Sequence, residues 1–419
     1  MDDHVNWDEL PSELLELIAN KLSSCEDIVR FSAVSKSWKS VLSGLSEDEK
    51  PVLPPESPIL FLAEQVAEGG ALSCDFNDEY EEGLEEDGGD GLVGTTRGLY
   101  RLATGKTCNI ELPEASGKLI LGTNKGWLLT LGIDLEINLL HPLSRKQIQL
   151  PPIGAFPRHN FSLPEKDFDM FIRKVAMSSK IQSNKNLVTG SGTYSPNPLV
   201  MTIYGEGDYL GFARLGDKVW TNIEILFSIQ DIAYYNGKFY AVNSQGDVFV
   251  CDIDDDYNNG GRARGTKIAS CALERSTRFG QRYLVESGSG LWLVVRFCKL
   301  KYFKPPHHSI VKYRTADFSV WKLELEYSDD CSRPPSCTCT QTNNLGDEAL
   351  FIGKATCLSL PSSEYIKPNC IYFTDDTWEL SNCMGGGHDM GIFNMESSTI
   401  EPFYNGKFIH PISPPVWYI

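Results

Sequence analysis

The sequence predicts a small N-terminal helical module followed by a large all-β domain of propeller type, with six or seven blades. Three observations predict it. Residues 8–42 place apolar side chains at three- and four-residue spacing, the period of a helix. Residues 91–419 have no such stretch of ten residues and are dense in Tyr, Trp, Phe, Val and Ile between turn residues. Within that second part, a strand–turn–strand pattern returns after 38 residues.

The helical module comes first. Leu10, Leu14, Ile18 and Leu22 recur every four residues and stack on one helix face, and Leu15, Leu17 and Ala19 widen the apolar arc. Pro11 sits near the helix start, where its missing N–H costs nothing. Ser24 and Asp27 open a second helix in capping-box fashion, and Ile28, Phe31, Val34, Trp38 and Val41 continue an apolar face. A module of roughly forty residues is too small to bury this much apolar surface alone. Part of the arc therefore faces the rest of the chain or a partner.

These residues resemble the F-box. The matching positions are Leu10-Pro11, Leu14-Leu15, Ile18, Leu22, Asp27-Ile28 and Val34-Ser35-Lys36-Ser37-Trp38. The resemblance implies a three-helix module over residues 4–48. It implies binding to a Skp-type adaptor, which connects the chain to a cullin-RING ubiquitin ligase. By the same resemblance Leu10, Pro11, Leu14, Leu15, Ile18 and Leu22 belong to the adaptor-binding set, with the first five facing the adaptor. Val34 and Trp38 are expected to pack within the module and against the adaptor's C-terminal helices.

Residues 49–90 read as a linker. Residues 75–90 hold nine acids and no base, with Gly interspersed, a composition that cannot bury itself. The net charge of −18 comes from this end of the chain: residues 1–90 hold 23 acids and 5 bases, whereas residues 91–419 hold 33 of each.

The repeat is explicit in the second part. Leu99-Tyr-Arg-Leu102 with Ile110-Glu-Leu-Pro113 matches Ile137-Asn-Leu-Leu140 with Ile148-Gln-Leu-Pro151, every position shifted by 38. The same sketch returns at Phe212, Phe249, Val311-Lys-Tyr313 and Ile392. Longer spacings late in the chain read as insertions around 254–266, 328–344 and 380–388. Tyr235-Asn-Gly-Lys-Phe239 recurs as Tyr404-Asn-Gly-Lys-Phe408, and Asn-Gly is the pair that a tight type I′ hairpin turn prefers. Four-stranded units of this size cannot cover their own faces and must stack radially. A β-sandwich leaves the 38-residue period unexplained. Val416-Trp417-Tyr418-Ile419 is too apolar to hang free and is expected to complete a blade and close the ring.

The later part also resembles a plant domain family, the KIB type, that often follows an F-box. The matching residues are Leu345-Gly-Asp-Glu-Ala-Leu-Phe-Ile-Gly353, Asn369-Cys-Ile-Tyr-Phe-Thr-Asp-Asp376, Asp389-Met-Gly-Ile-Phe-Asn394 and Pro402-Phe403. The resemblance implies a propeller-like fold over roughly 55–410, with 411–419 as the closing segment, and a role in substrate recognition.

Chemistry-bearing motifs are absent. Gly205-Glu-Gly207 precedes another strand, not a helix, and reads as a hairpin turn rather than a phosphate loop. Asp375-Asp376 and Asp254-Asp255-Asp256 read as solvated turns. Cys331, Cys337 and Cys339 read as a loop group without zinc-ligand spacing, and the twelve Cys as mostly reduced thiols. No catalytic, cofactor-binding or metal-ligating set is identified. The acidic balance argues against nucleic acid, and no apolar run is long enough to span a membrane. With an acidic N-terminus that lacks an apolar stretch, the expected location is the nucleus or cytoplasm, or both. The function expected is that of a substrate-recognition subunit of an SCF-type ubiquitin ligase, itself non-catalytic, with an unknown protein substrate. The alternatives are an interaction scaffold outside a ligase and, last, a propeller enzyme or small-ligand binder.

Overall fold

The computed structural model describes residues 10–19, 21, 31, 34, 35, 37, 38, 40, 41, 58–64, 95–124, 126–142, 144–158, 171–178, 198–225, 228–253, 263–271, 279–303, 310–328, 333–354, 357–376, 389–404 and 415–418, with backbone alone at 63, 64, 279, 302, 303 and 310–312. The chain forms two compact units, Met1–Pro58 and Ile59–Ile419.

The first unit contains helix α1 (Ser12–Ala19) and helical residues at 31, 34, 37, 38, 40 and 41. Leu15, Ala19, Phe31 and Trp38 form its core, with Leu10 and Val41 packed against it. The Phe31 and Trp38 rings lie 4.6 Å apart. The Ser35 hydroxyl accepts a hydrogen bond from the Trp38 N–H, the pattern of an N-cap three residues ahead. Ser24 and Asp27 lie outside the described residues.

The second unit is a ring of β-meanders. Its first blade contains β1 (Ile59–Glu64), β2 (Thr96–Arg101) and β3 (Lys106–Glu111). The second holds β4 (Leu119–Asn124), β5 (Trp127–Leu131), β6 (Ile137–Leu140) and β7 (Gln147–Gln149). The third holds β8 (Ile172–Met177), β9 (Leu199–Tyr204), β10 (Tyr209–Arg214) and β11 (Thr221–Ile223). The fourth holds β12 (Ile229–Tyr235), β13 (Lys238–Asn243), β14 (Asp247–Ile253) and β15 (Ala263–Ser270). The fifth holds β16 (Phe279–Ser287), β17 (Gly290–Phe303), β18 (Ile310–Glu326) and β19 (Ser336–Thr342). The sixth holds β20 (Glu348–Ile352), β21 (Leu358–Pro361), β22 (Cys370–Phe373), β23 (Gly391–Asn394) and β24 (Thr399–Glu401). The C-terminal strand β25 (Val416–Tyr418) pairs with β1 and completes the first blade. In the sixth blade β20 runs parallel to β22, and a single parallel pair, Glu286 with Leu358, joins this blade to the fifth.

Among the described residues, six apolar cores separate six blades, and this is why the ring closes. Phe61, Leu112 and Leu128 fill the space between blades one and two, and Leu139, Phe156 and Tyr204 that between two and three. Phe212, Ile232 and Phe249 lie between three and four, and Tyr240, Leu293 and Trp321 between four and five. Val294, Phe318 and Phe373 lie between five and six, and Leu60, Phe351 and Trp417 between six and one. Each core takes side chains from both neighbours, so no blade is dry without the next.

The 38-residue repeat is structural. Leu99 and Ile137 lie on β2 and β6, and Phe212, Phe249, Tyr313 and Ile392 lie on β10, β14, β18 and β23. All six strands are neighbours of the outermost strand of their blade. The Asn236-Gly237 turn has positive φ at both residues, 44° and 80°, as a type I′ turn requires. Its second copy extends beyond the described residues. Gly205 to Asp208 is the hairpin turn between β9 and β10.

The expected linker 49–90 and the expected propeller bounds 55–410 overlap, and Ile59-Leu-Phe-Leu62 lies in that overlap as part of β1, with Leu60, Phe61 and Leu62 buried. The acidic run 75–90, outside the described residues, is thus inserted between two strands of one blade. Within residues 411–419, expected to complete a blade and close the ring, Val416–Tyr418 forms β25, a strand of blade one. Two of the three expected insertions contain outer strands, β15 and β19. Their alternation is masked by small and polar residues (Ala-Arg-Gly-Thr, Ser-Cys-Thr-Cys), which suits an edge exposed on one face.

Trp417 bears on three blades. Its indole N–H donates to the Ile352 carbonyl at 3.2 Å, its ring meets Phe351 edge-on at 5.1 Å, and its own carbonyl accepts from the Thr123 hydroxyl. Trp417→Ala is expected to destabilise the ring by about 3 kcal/mol, read as a lower denaturation midpoint. An unchanged midpoint would show that β25 contributes little to closure.

Candidate functional site

The helical unit leaves one face of α1 unburied. Leu15 is 1% exposed and Ala19 is buried, whereas Leu14, Leu17 and Ile18 are 47%, 62% and 38% exposed. These three stand at i, i+3 and i+4, so they share one side of the helix. Pro11 is exposed, and its carbonyl accepts from the N–H groups of Leu14 and Leu15 at 3.1 and 3.2 Å, fixing the first turn. Three large apolar side chains in water on an eight-residue helix are a surface in search of a partner.

The residues expected at this face divide. Leu14 and Ile18 are outward, and Leu10 is half-buried against the module core. Leu15 is turned inward by the helix, because only one of two adjacent leucines can share the core side with Ala19. Val34 is 51% exposed. Trp38 packs in the module core. Leu22 lies outside the described residues. Leu17 joins the exposed set; its place three residues after Leu14 was the signal for it.

The propeller holds a second constellation, one that sequence reasoning missed. Arg296 on β17 is 0% exposed and makes five hydrogen bonds, as many as a guanidinium has N–H groups. Nε donates to the Thr315 hydroxyl at 2.7 Å. Nη1 donates to Asp376 Oδ1 and the Thr374 carbonyl, both at 2.8 Å. Nη2 donates to Asp389 Oδ2 at 2.9 Å and to the Asp389 carbonyl at 3.0 Å. The hydroxyls of Tyr283 and Tyr313 donate to Asp376 and Asp375. Nearby, Lys174 on β8 meets Asp231 on β12 at 3.1 Å and donates to the Gly353 carbonyl at 3.0 Å and to Cys357 Sγ at 3.3 Å.

This overturns the reading of Asp375-Asp376 as a solvated turn. Both are buried, and their strand partners Tyr313, Arg296 and Tyr283 lie 62, 80 and 93 residues away, beyond the reach of any local pattern. Burial pushes the Asp376 carboxyl up, and Arg296 opposes that push. Burial would lower the Lys174 ammonium, but Asp231, joined by Cys357 and Asp376, outweighs it and holds Lys174 above the ordinary lysine range. The charges pair across blades three to six, so their evident work is to fix those blades against one another.

Among the described residues no group of three or more His, Cys, Asp or Glu could hold a metal ion. Cys337 and Cys339 lie on β19, not in a loop, and Cys339 is bonded to Cys271. Cys331 and Asp254-Asp255-Asp256 lie outside the described residues. Burial pushes the thiols of Cys251 and Cys357 up to about 12 and that of Cys298 up to about 11. Iodoacetamide at neutral pH is therefore expected to label the half-buried Cys108 in the native protein, and these three only after unfolding. Site-resolved peptide mapping checks it, and rapid native labelling of Cys357 would contradict its burial.

Comparison with known proteins agrees with this division. Residues 7–50 match the F-box domain family and residues 99–394 match the KIB1-4 beta-propeller family. Among curated proteins, the chain is 23% identical over 411 residues to the putative F-box protein At5g55150 of Arabidopsis thaliana, covering 96% of this chain and 94% of that one. It is 25% identical over 457 residues to the F-box protein SKIP23 of the same plant, covering 99% and 95%. Among solved structures, the beta-propeller domain of Cps50 (Swd1) from Myceliophteria thermophila is similar, with a TM-score of 0.37, 10% identity and coverage of 74% and 80%. The N-terminal domain of Nup159 gives a TM-score of 0.32 at 8% identity, covering 75% and 72%. No helix among the described residues is long and apolar enough to cross a membrane.

Proposed function

Because the chain belongs to the KIB1-4 β-propeller family and is a plant-type F-box protein, we propose that it is the substrate-recognition subunit of an SCF-type ubiquitin ligase. One observation carries this reading: Leu14, Leu17 and Ile18 stand exposed on a helix whose opposite side is already filled by Leu15 and Ala19. The exposed side is free for a Skp-type adaptor, and through it a cullin-RING assembly. The propeller then presents a protein substrate and raises the local concentration of its lysines near the ubiquitin-loaded enzyme. In this reading the chain itself makes and breaks no bonds, and it works in the nucleus or cytoplasm.

The test is reconstitution. Co-expression with a Skp-type adaptor is expected to give a stable binary complex, and addition of cullin and RING subunits to give ubiquitin transfer onto a protein held by the propeller. Failure to bind any adaptor defeats the proposal. Adaptor binding without transfer leaves a scaffold acting outside a ligase.

A further inference from the structure

Arg282 lies on β16, the first strand of the fifth blade. The first strands β4, β8, β12 and β16 of successive blades are neighbours in turn, so they stand around the axis of the ring. On the adjoining β12, Gln230 is the extra residue of a bulge between Ile229 and Asp231. Bulges of this kind re-aim a side chain. Here the Gln230 amide oxygen accepts from Arg282 Nη1 at 3.2 Å, and the Gly280 carbonyl accepts from the same nitrogen.

The other edge of the guanidinium has no acceptor. Arg282 Nε is buried without a hydrogen-bond partner, and among the described residues Nη2 donates to none. Nε and Nη2 share one edge of the planar group, the edge that grips a carboxylate with two parallel N–H···O bonds. Other cations at this level of burial are matched by acids. Arg173 on β8 meets Asp208 at 2.9 Å, Lys174 meets Asp231, and Arg296 meets Asp376 and Asp389. Arg282 has neutral partners only. Burial pushes its guanidinium down from the ordinary arginine value, and no carboxylate opposes that push. A buried donor without an acceptor costs stability and is uncommon in a native fold, so it calls for an explanation. The residue as a whole is half-buried rather than sealed.

We propose that the Nε–Nη2 edge of Arg282 is a carboxylate-binding site, with Gln230 fixing the plane of the guanidinium. A carboxylate suits this edge better than a phosphate dianion. One unpaired guanidinium balances one negative charge, and Arg173 on β8, the other neighbour of β12, is already held by Asp208. The carboxylate is an Asp or Glu side chain of a protein partner or belongs to a small acid, and the probes below separate the two. That its bearer is the ligase substrate rests on the function proposed above; the site itself does not.

The sample is the full-length protein with isotope-labelled arginine. The probes are acetate, a capped Gly-Ser-Glu-Ser-Gly peptide and its Gly-Ser-Gln-Ser-Gly counterpart. The Nε–Hε resonance of Arg282, assigned by its loss in Arg282→Lys, is expected to shift saturably with acetate and with the Glu peptide. It should stay in place with the Gln peptide and with chloride at equal ionic strength. Glu-peptide binding roughly tenfold tighter than acetate identifies a protein ligand, and equal or tighter binding of acetate identifies a small acid. Gln230→Glu keeps the side-chain shape and opposes the guanidinium charge from the Nη1 side. It is expected to weaken the acetate response roughly tenfold while keeping or raising the denaturation midpoint. No shift, the same shift with the Gln peptide or chloride, or an undiminished response in Gln230→Glu overturns the inference. Adaptor binding is measured on the same protein: its loss with the carboxylate response intact defeats only the ligase reading, and the converse defeats only this site.

Discussion

Arg296→Met is expected to destabilise the propeller by about 3–5 kcal/mol, because it leaves the buried carboxylates of Asp376 and Asp389 without their cation. Methionine fills much of the aliphatic volume, so the loss reports charge and hydrogen bonding more than a cavity. The variant also leaves the Thr374 carbonyl without its guanidinium donor. A rescue separates charge from shape. Adding Asp376→Asn and Asp389→Asn removes the uncompensated charges while keeping acceptors for the Tyr283 and Thr315 hydroxyls, and should recover more than half of the loss. If the triple variant is no more stable than Arg296→Met alone, buried charge is not the cause.

The same substitution has a pH dependence with a fixed sign. Burial already holds the Asp376 pKa above its unfolded value, and Arg296 is the chief group pulling it back. Without Arg296 it rises further. A carboxyl with a raised folded pKa binds more protons folded than unfolded, so it costs stability as pH rises from the unfolded value through the folded one. The deficit of Arg296→Met relative to the parent should therefore widen from about pH 4 to neutrality, followed by chemical denaturation at each pH. A deficit that narrows on raising the pH would contradict the assignment.

What the sequence made legible follows from how far each signal reaches. The 38-residue repeat at Leu99 and Ile137 is carried by strand alternation and adjacent turns, and these features act over a few residues. Asn236-Gly237 is more local still. By contrast, Asp376 meets Arg296 only after β17 and β22 are placed in neighbouring blades, and Lys174 meets Gly353 from the far end of the unit. Nothing in the spacing of such residues announces a pair. β1 was hidden for a related reason: its sequence neighbour on the C-terminal side is a long acidic insertion, while its sheet partner β25 lies at the other end of the chain. In α1, periodicity identified an apolar arc but not its inward part. Leu14 and Leu15 are both apolar, and the choice between them is made by Ala19, Phe31 and Trp38.

That choice sets the second large effect. Leu14→Asp with Ile18→Asp is expected to abolish adaptor binding while leaving both compact units folded. Both side chains are partly open to water and neither belongs to the module core of Leu15, Ala19, Phe31 and Trp38. At an interface each would bury apolar surface worth roughly 1.5–3 kcal/mol, so losing two costs about 4 kcal/mol, near a thousandfold in affinity. The carboxylates deepen the loss, because burying them unpaired is unfavourable. Leu15→Asp is the contrasting variant. It places a charge inside the core of Phe31, Trp38 and Ala19, and is expected to unfold the helical unit and lower far-ultraviolet helical signal along with binding. The pair of variants distinguishes a docking face from a folding defect. Wild-type affinity in the folded Leu14/Ile18 variant would remove α1 from the interface. Loss of helical signal in that variant would return both residues to the core and leave the exposed triplet without its role.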